Sequence, residues 1–438
     1  MPGKIPLEKH GIEHRRLKRS LGLFELTAYG VGIILGAGIY ALIGKAAAIA
    51  GPALWISFLI GAVVASLTGL SYAELGTMYP KEAAEYVYTR KAFRGRRLPF
   101  LIGWLIIFVA LVAAATVSLG FGGYLEALTG IPMAVGAGIL IVLLSLLNFW
   151  GISESAKANI VFTLIELGGL LLIVFLGAPY FGSVNYFEMP MGFGGVFAAA
   201  VLIFFAYIGF EDVVNVSEET RAPRRIIPKA LILSIIITTV LYILVAIASV
   251  SVLPWNTLGV STAPLADVAN AAMPGSSFAF SIIALFATAN TVLILLIVDS
   301  RMIWGMARAG SFPKILSRIH AKRRTPWVSI FTMMFIALLF VSAGDIRTIA
   351  ELTDFGAFIV FMATNISLIV LRYKKPGMRR PFKVPGNIGR LPVPATLGAI
   401  FCFVMLFNFG LHVVLSSLGV IAAGFIVYEL MLRRGIIR

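Results

Sequence analysis

Cysteine is nearly absent. Cys402 is the one thiol in 438 residues, so an intrachain disulfide and a cysteine-built metal cluster are both excluded. Histidine is scarce too. His10, His14, His320 and His412 show no metal-ligand spacing, and no metal or other cofactor is expected. There is no glycine-rich loop ending in Lys-Ser or Lys-Thr, so drive by ATP is not indicated. The most informative shortage is charge. Asp, Glu, Lys and Arg make up 13% of the chain, against about 25% in a soluble globular domain.

In place of charge there are long apolar runs. The chain is 59% hydrophobic, with a mean hydropathy of +0.96. Its runs are too long for buried core helices, since about 20 residues cross a bilayer. Twelve spans are expected, over 22–45, 52–78, 99–126, 132–151, 156–178, 193–217, 227–253, 277–306, 326–343, 349–372, 393–410 and 412–432. A short basic tail, 1–20, precedes one membrane domain over 21–435. The first run is too long for a cleaved signal peptide.

A net charge of +16 could suggest nucleic acid, but its distribution does not. Of 36 Lys and Arg residues, all but Lys45 and Arg347 fall at one side of the expected spans. That is the positive-inside bias. The charge then sets topology, with some attraction to anionic lipid, and no nucleic-acid partner is needed. An even span count puts both termini in the cytoplasm, with the cell membrane as the expected location.

Two spans contain interruptions. In the first, Gly36-Ala37-Gly38 sits mid-span within Gly30–Tyr40, although Gly costs about 1 kcal/mol against Ala inside a helix. Either the helix breaks there and exposes backbone groups to a cavity, or Gly32 and Gly36 allow close helix packing. In the sixth, Phe204–Asp212 places Gly209 and two adjacent acids, Glu211 and Asp212, at or just past mid-membrane. Such acids fit a helix broken near Ala206–Gly209 that lines a wet path, better than a helix that simply ends at Gly209.

Paired interrupted helices point to a transporter's central site. The first and sixth spans correspond if spans 1–5 (21–178) and 6–10 (193–373) are two repeats. Five being odd, the repeats are inverted, and the last two spans (393–432) stand outside them. No residue-level similarity between the halves supports this; the layout does.

Other polar groups lie at depth. Glu166 is near the centre of span 5, where a charge costs about 2.5–3.5 kcal/mol on insertion scales. It is either a proton- or cation-binding group or a hydrogen-bonded structural one. Span 8 carries Thr288, Asn290 and Thr291 near its centre and Asp299 nearer the cytoplasm. Thr288 and Thr291 share a face, as coupling groups or as interhelical hydrogen-bonding residues.

Several stretches together resemble the amino acid–polyamine–organocation superfamily of permeases, whose fold was first described for bacterial leucine transporters. They are Gly36–Tyr40; Tyr72-Ala73-Glu74-Leu75 with Pro80 and Tyr86-Val87-Tyr88; Phe205–Glu211 with Glu218-Glu219 and Pro223; Met306–Gly310; and Arg380–Gly386. They extend over almost the whole chain, in family order, and look closest to prokaryotic permeases similar to cationic amino acid transporters.

The resemblance implies an all-α fold with a 5+5 inverted repeat, and secondary active transport of amino acids by alternating access. It implies a substrate carboxylate at the N–H groups of Ala37, Gly38 and Ile39, beside Gly36. The ammonium would lie at carbonyls near Ile33, Ile34, Phe205 and Ala206. Phe205 matches an aromatic gate, and Glu211 matches a glutamate implicated in coupling or gating.

Two departures stand out. Members often have two glycines where Ala83-Ala84 stands. A lysine common in proton-coupled relatives falls at Glu166. The opposite charge there could itself take a proton, or join Thr288 and Thr291 in holding a cation. Proton coupling is the preferred expectation, with sodium coupling or exchange of amino acids or polyamines as alternatives. A membrane-embedded enzyme would need a catalytic constellation, and none is visible in the sequence. A channel would need rings of like charge or a filter loop, which these asymmetric paired breaks do not resemble.

Overall fold

The computed structural model describes residues 19–81, 83–261, 263–341 and 346–437. Most of the expected tail, 1–20, therefore lies outside the described residues. The architecture is all-α. In chain order the helices are α1 (Leu23–Ala50), α2 (Leu54–Met78), α3 (Ala84–Ala92), α4 (Arg97–Thr129), α5 (Met133–Trp150), α6 (Ile152–Gly177) and α7 (Gly192–Phe204). Then follow α8 (Pro223–Val252), α9 (Trp255–Val260), α10 (Pro264–Ala272), α11 (Ser277–Arg308), α12 (Trp327–Val341), α13 (Ile346–Lys374), α14 (Val393–Met405) and α15 (Leu411–Arg433). One two-residue hairpin, Asn387–Ile388 with Leu391–Pro392, is the sheet content among the described residues.

Among the described residues, ten helical stretches are long and apolar enough to cross a membrane. The ninth and eleventh expected spans are shorter apolar helices, α12 and α14. The chain is a multi-pass membrane protein. Its apolar surface agrees: Leu143, Leu164, Phe175 and Leu415 lie exposed on α5, α6 and α15, Phe175 at 74%. Burying such a side chain is worth about 1.5–3 kcal/mol relative to water, and here lipid takes that place.

The connections add elements beyond the expected spans. The amphipathic segment after Pro80 forms α3, entered through Ala83 in the left-handed conformation at φ 55°. This is one of the two alanines that replace family glycines. Between the seventh and eighth spans, where only a connection was expected, α9 and α10 pack against α1, α6, α8 and α11.

Ion pairs tie the basic side together. Glu74 is buried and receives Arg372 (2.5 Å) and Arg380 (3.0 Å), while the backbone N–H of Val384 donates to it at 2.8 Å. This pins the proline-stiffened loop Arg380–Gly386 beneath α2. Arg301 pairs with Glu219 at 3.2 Å, both fully buried, and also donates to Asn148 and Ser300. Removing one partner of such a pair would strand a buried charge, a loss of about 3–5 kcal/mol.

Candidate functional site

The first interruption is local. Within α1, Gly36 alone leaves the helical region, at φ −20° and ψ −164°. The sixth span breaks more fully. α7 ends at Phe204, a 3-10 turn covers Phe205–Tyr207, Ile208 is extended, and Gly209 adopts φ 115°. A second 3-10 segment, Phe210–Glu219, carries the chain on. This matches the expected break near Ala206–Gly209 and not a helix that simply stops.

The two breaks interlock. A Cβ on Gly38 would lie 2.9 Å from Cα of Ala206, and one on Gly209 would lie 2.7 Å from Ile33. Each break is seated on a residue of the other. Gly209 is needed twice, for its positive φ and for this approach. Gly38 is needed because backbone, which cannot rotate away, fills the place of its side chain.

A cavity of ≈ 60 Å³ opens beside the breaks. One water needs roughly 10–15 Å³ measured this way, so several would fit. The α1 break supplies Ile33, Ile34, Gly36 and Gly38, and the second supplies Phe205, Ala206, Ile208 and Gly209. Glu211 and Asp212 add two acids, and Thr291 and Thr353 two hydroxyls. Glu211 Oε2 accepts from the N–H of Gly209 at 2.9 Å, which caps the turn. Much of the remaining wall is aliphatic: Ile106, Val109, Ala110, Ala113 and Val117 from α4, and Leu295 from α11.

Other expected site residues sit elsewhere. Ile39 is buried but does not line the cavity. Thr288 turns back on its own helix, donating to the Ala284 carbonyl at 2.8 Å. Glu166 and Asn290 come together outside the cavity lining, where α1, α6 and α11 meet. Asn290 Nδ2 lies 3.4 Å from Glu166 Oε2, 3.0 Å from Thr163 Oγ1 and 3.3 Å from the Gly32 carbonyl. Asn159 Nδ2 donates to Asn290 Oδ1 at 2.7 Å. So Glu166 reaches α1 through an amide, one turn before the break.

The sequence reading missed Tyr242 on α8. Its hydroxyl lies 2.9 Å from the Ala206 carbonyl and also hydrogen-bonds the Ile34 carbonyl. Its one proton can go to either of these carbonyls, which flank the two breaks. Nothing local marks it, because a tyrosine inside an apolar helix has no distinguishing pattern. The cavity wall of α4 had a fainter signal, in the small residues at positions 110 and 113 on one helical face.

The amino acid permease family matches residues 21–431. The chain is 33% identical to a branched-chain amino acid permease of Bacillus subtilis, over 96% of this chain and 94% of that protein. It is 30% identical to a methylthioribose transporter of the same organism, over 98% and 97%. It is 31% identical to cationic amino acid transporter 4 of Mus musculus, over 84% of this chain and 62% of that protein. Motif resemblance, interrupted helices and whole-length similarity converge, and the chain belongs to the amino acid permease family.

Proposed function

We propose that this permease moves amino acids across the cell membrane by alternating access, as a proton symporter, with the substrate held in the cavity beside the two breaks. The observation that carries this reading is that both interrupted segments border one cavity. Amide groups that open a half-helix attract an anion, so the N–H groups of Ala37, Gly38 and Ile39 are assigned to the substrate carboxylate. The carbonyls of Ile33, Ile34, Phe205 and Ala206 are assigned to its ammonium. The ring of Phe205 is placed over the substrate as a gate. The aliphatic wall from α4 suits an apolar side chain, in keeping with a branched-chain permease among the relatives.

The inverted 5+5 arrangement with two added helices, the cytoplasmic placement of both termini and the cell-membrane location are part of this reading. The one-sided distribution of Lys and Arg supports the orientation. Glu166 and Glu211 are the candidate coupling or gating carboxylates, with Asn290 and Thr291 beside them.

Uptake into proteoliposomes with labelled leucine, isoleucine, valine, lysine and arginine, under separately imposed proton and sodium gradients, tests the proposal. Accumulation driven by the proton gradient is expected. Movement of no amino acid would sink the transport reading. Accumulation driven by sodium alone, or only by amino acid loaded inside, would replace the proton by sodium or by exchange.

A further inference from the structure

The start of α4 and the end of α15 meet on the basic side. Arg94, Arg96 and Arg97 lead into α4, and Arg433 and Arg434 close α15. All five are exposed.

Close contacts fix one helix on the other here. The Phe100 and Tyr428 rings lie 5.0 Å apart. The Trp104 N–H donates to the Val420 carbonyl at 3.1 Å. Its ring occupies the side-chain place of Gly424, where a Cβ would come within 2.5 Å of it. At the surface end, Arg97 Nη2 lies 2.9 Å from Glu429 Oε1, and the guanidinium sits over the Phe425 ring, 5.5 Å from its centre. Arg433 follows Glu429 by four residues, so it stands on the same face one turn on, about 6 Å along the axis. Arg96 adjoins Arg97 in the chain. One arginine of each helix therefore flanks the Arg97–Glu429 pair.

The charge at this junction is not balanced. Glu429 is the one acid of α15, and the one acid of α4, Glu126, lies at the opposite end of that helix. Glu429 is taken by Arg97. Among the described residues Arg94, Arg96, Arg433 and Arg434 form no ion pair. Other cations of the basic side are answered internally: Lys81 and Arg308 by Glu218, Arg301 by Glu219, Arg372 and Arg380 by Glu74. Nearby, Arg90 donates to the Tyr86 hydroxyl and the Ala309 carbonyl, and Lys374 to the Ala92 carbonyl.

The surface beside the free arginines is apolar. Leu98 follows Arg97 directly, and Phe425 and Ile426 precede Arg433 by about two turns. All three are exposed, and both directions lead into helices long and apolar enough to span the membrane. An acidic peptide or a free phosphate would use the charge alone. A phosphate that carries hydrocarbon chains uses the charge and the apolar surface together. Basic groups just outside a membrane helix attract anionic headgroups, and the planar guanidinium fork matches phosphate oxygens two at a time.

We propose that the junction of α4 and α15 is a binding site for an anionic phospholipid of the leaflet on the basic side. Its phosphate is held between Arg96 and Arg433, its chains lie along Leu98, Phe425 and Ile426, and Arg94 and Arg434 add to the field. Arg97, neutralised by Glu429, positions the two helix ends. This goes beyond the general attraction of a basic face, because it names one junction. It rests on the membrane placement of the chain and not on the transport reading.

The test titrates detergent-purified protein with phosphatidylglycerol or with phosphatidylcholine of the same chains, and counts bound lipid by native mass spectrometry. Wild type should retain phosphatidylglycerol in preference. Arg96→Gln/Arg433→Gln should weaken that binding about tenfold. Arg224→Gln/Arg225→Gln removes the same charge at the start of α8 and should leave it unchanged. Equal loss in both variants would overturn the site, leaving only surface charge. Equal retention of the two lipids by wild type would overturn it as well. Inorganic phosphate bound as tightly as the lipid would overturn the assignment to a phospholipid. Should the double variant fail to fold, Arg96→Gln and Arg433→Gln singly, each expected to lose about threefold, make the same comparison. No transport is read, so a chain that moves no amino acid is tested equally.

Discussion

Asn290 lies 3.4 Å from the carboxylate of Glu166 and 3.3 Å from the carbonyl of Gly32, so one side-chain amide joins the buried acid of α6 to the interrupted helix α1. The other oxygen of Glu166, Oε1, has no hydrogen-bond partner. A change of charge at Glu166 is therefore felt at α1, one turn before its break. Glu166→Gln should lower accumulation against a gradient about tenfold, within the usual range of coupling free energies, while substrate binding stays measurable. Undiminished accumulation in that variant would assign Glu166 a purely structural role.

Gly38→Val tests the substrate site. The added Cβ would meet the Ala206 backbone at 2.9 Å and the Phe205 ring at 3.3 Å. Overpacking against groups that cannot turn away costs about 1–3 kcal/mol, or more, and the extra methyls would project toward the breaks. Binding of labelled substrate to purified protein should be lost, with Gly38→Ala intermediate. Normal affinity in Gly38→Val would remove the carboxylate assignment from this break.

Gly209→Ala combines two costs, a positive φ of 115° and a contact with Ile33. The strain is of the order of 1–3 kcal/mol and should appear as a lower melting temperature in detergent. In Gly209→Ala/Ile33→Ala the contact is relieved and the backbone strain is not. The double variant should therefore lose less stability than the sum of the two single changes. Strict additivity would show that the breaks do not press on each other.

Glu85 predicts a pH dependence. Its carboxyl is raised from 4.5 to about 7 by burial, so between those values the folded chain holds more protons than the unfolded chain. Stability then falls as pH rises through that window, by roughly 3 kcal/mol if the whole shift is expressed. Glu85→Gln cannot titrate and should flatten the profile. Melting temperatures measured across this range check it, and an equal slope in both proteins would place the titration elsewhere.

The two breaks were legible in the sequence. Glycine clustered at mid-span, as at Gly36-Ala37-Gly38, carries a local helix penalty that no apolar helix needs. Acids next to a glycine, as at Gly209–Asp212, are costly in lipid and so announce a break. Ala83 stands out through the resemblance alone, and its left-handed φ of 55° is a conformation that suits glycine better.

Other features could not be read in this way. Thr288 and Thr291 look equivalent on one helical face, yet Thr288 bonds its own helix and Thr291 faces the cavity. Asp299 reads simply as an acid near a helix end, yet it is completely buried. Tyr242 has no signal at all until α8 is laid against both breaks.

Composition, span lengths and the two interruptions were thus determined by the sequence alone, because each follows from the cost of polar backbone or charge within a short window of apolar residues. The tertiary structure decided that Gly38 seats on Ala206 and Gly209 on Ile33, that Glu166 meets Asn290 outside the cavity lining, and that Tyr242 reaches the carbonyls beside both breaks. Those relations join segments far apart in the chain, and they depend on how helix surfaces pack, which no local pattern of residues encodes.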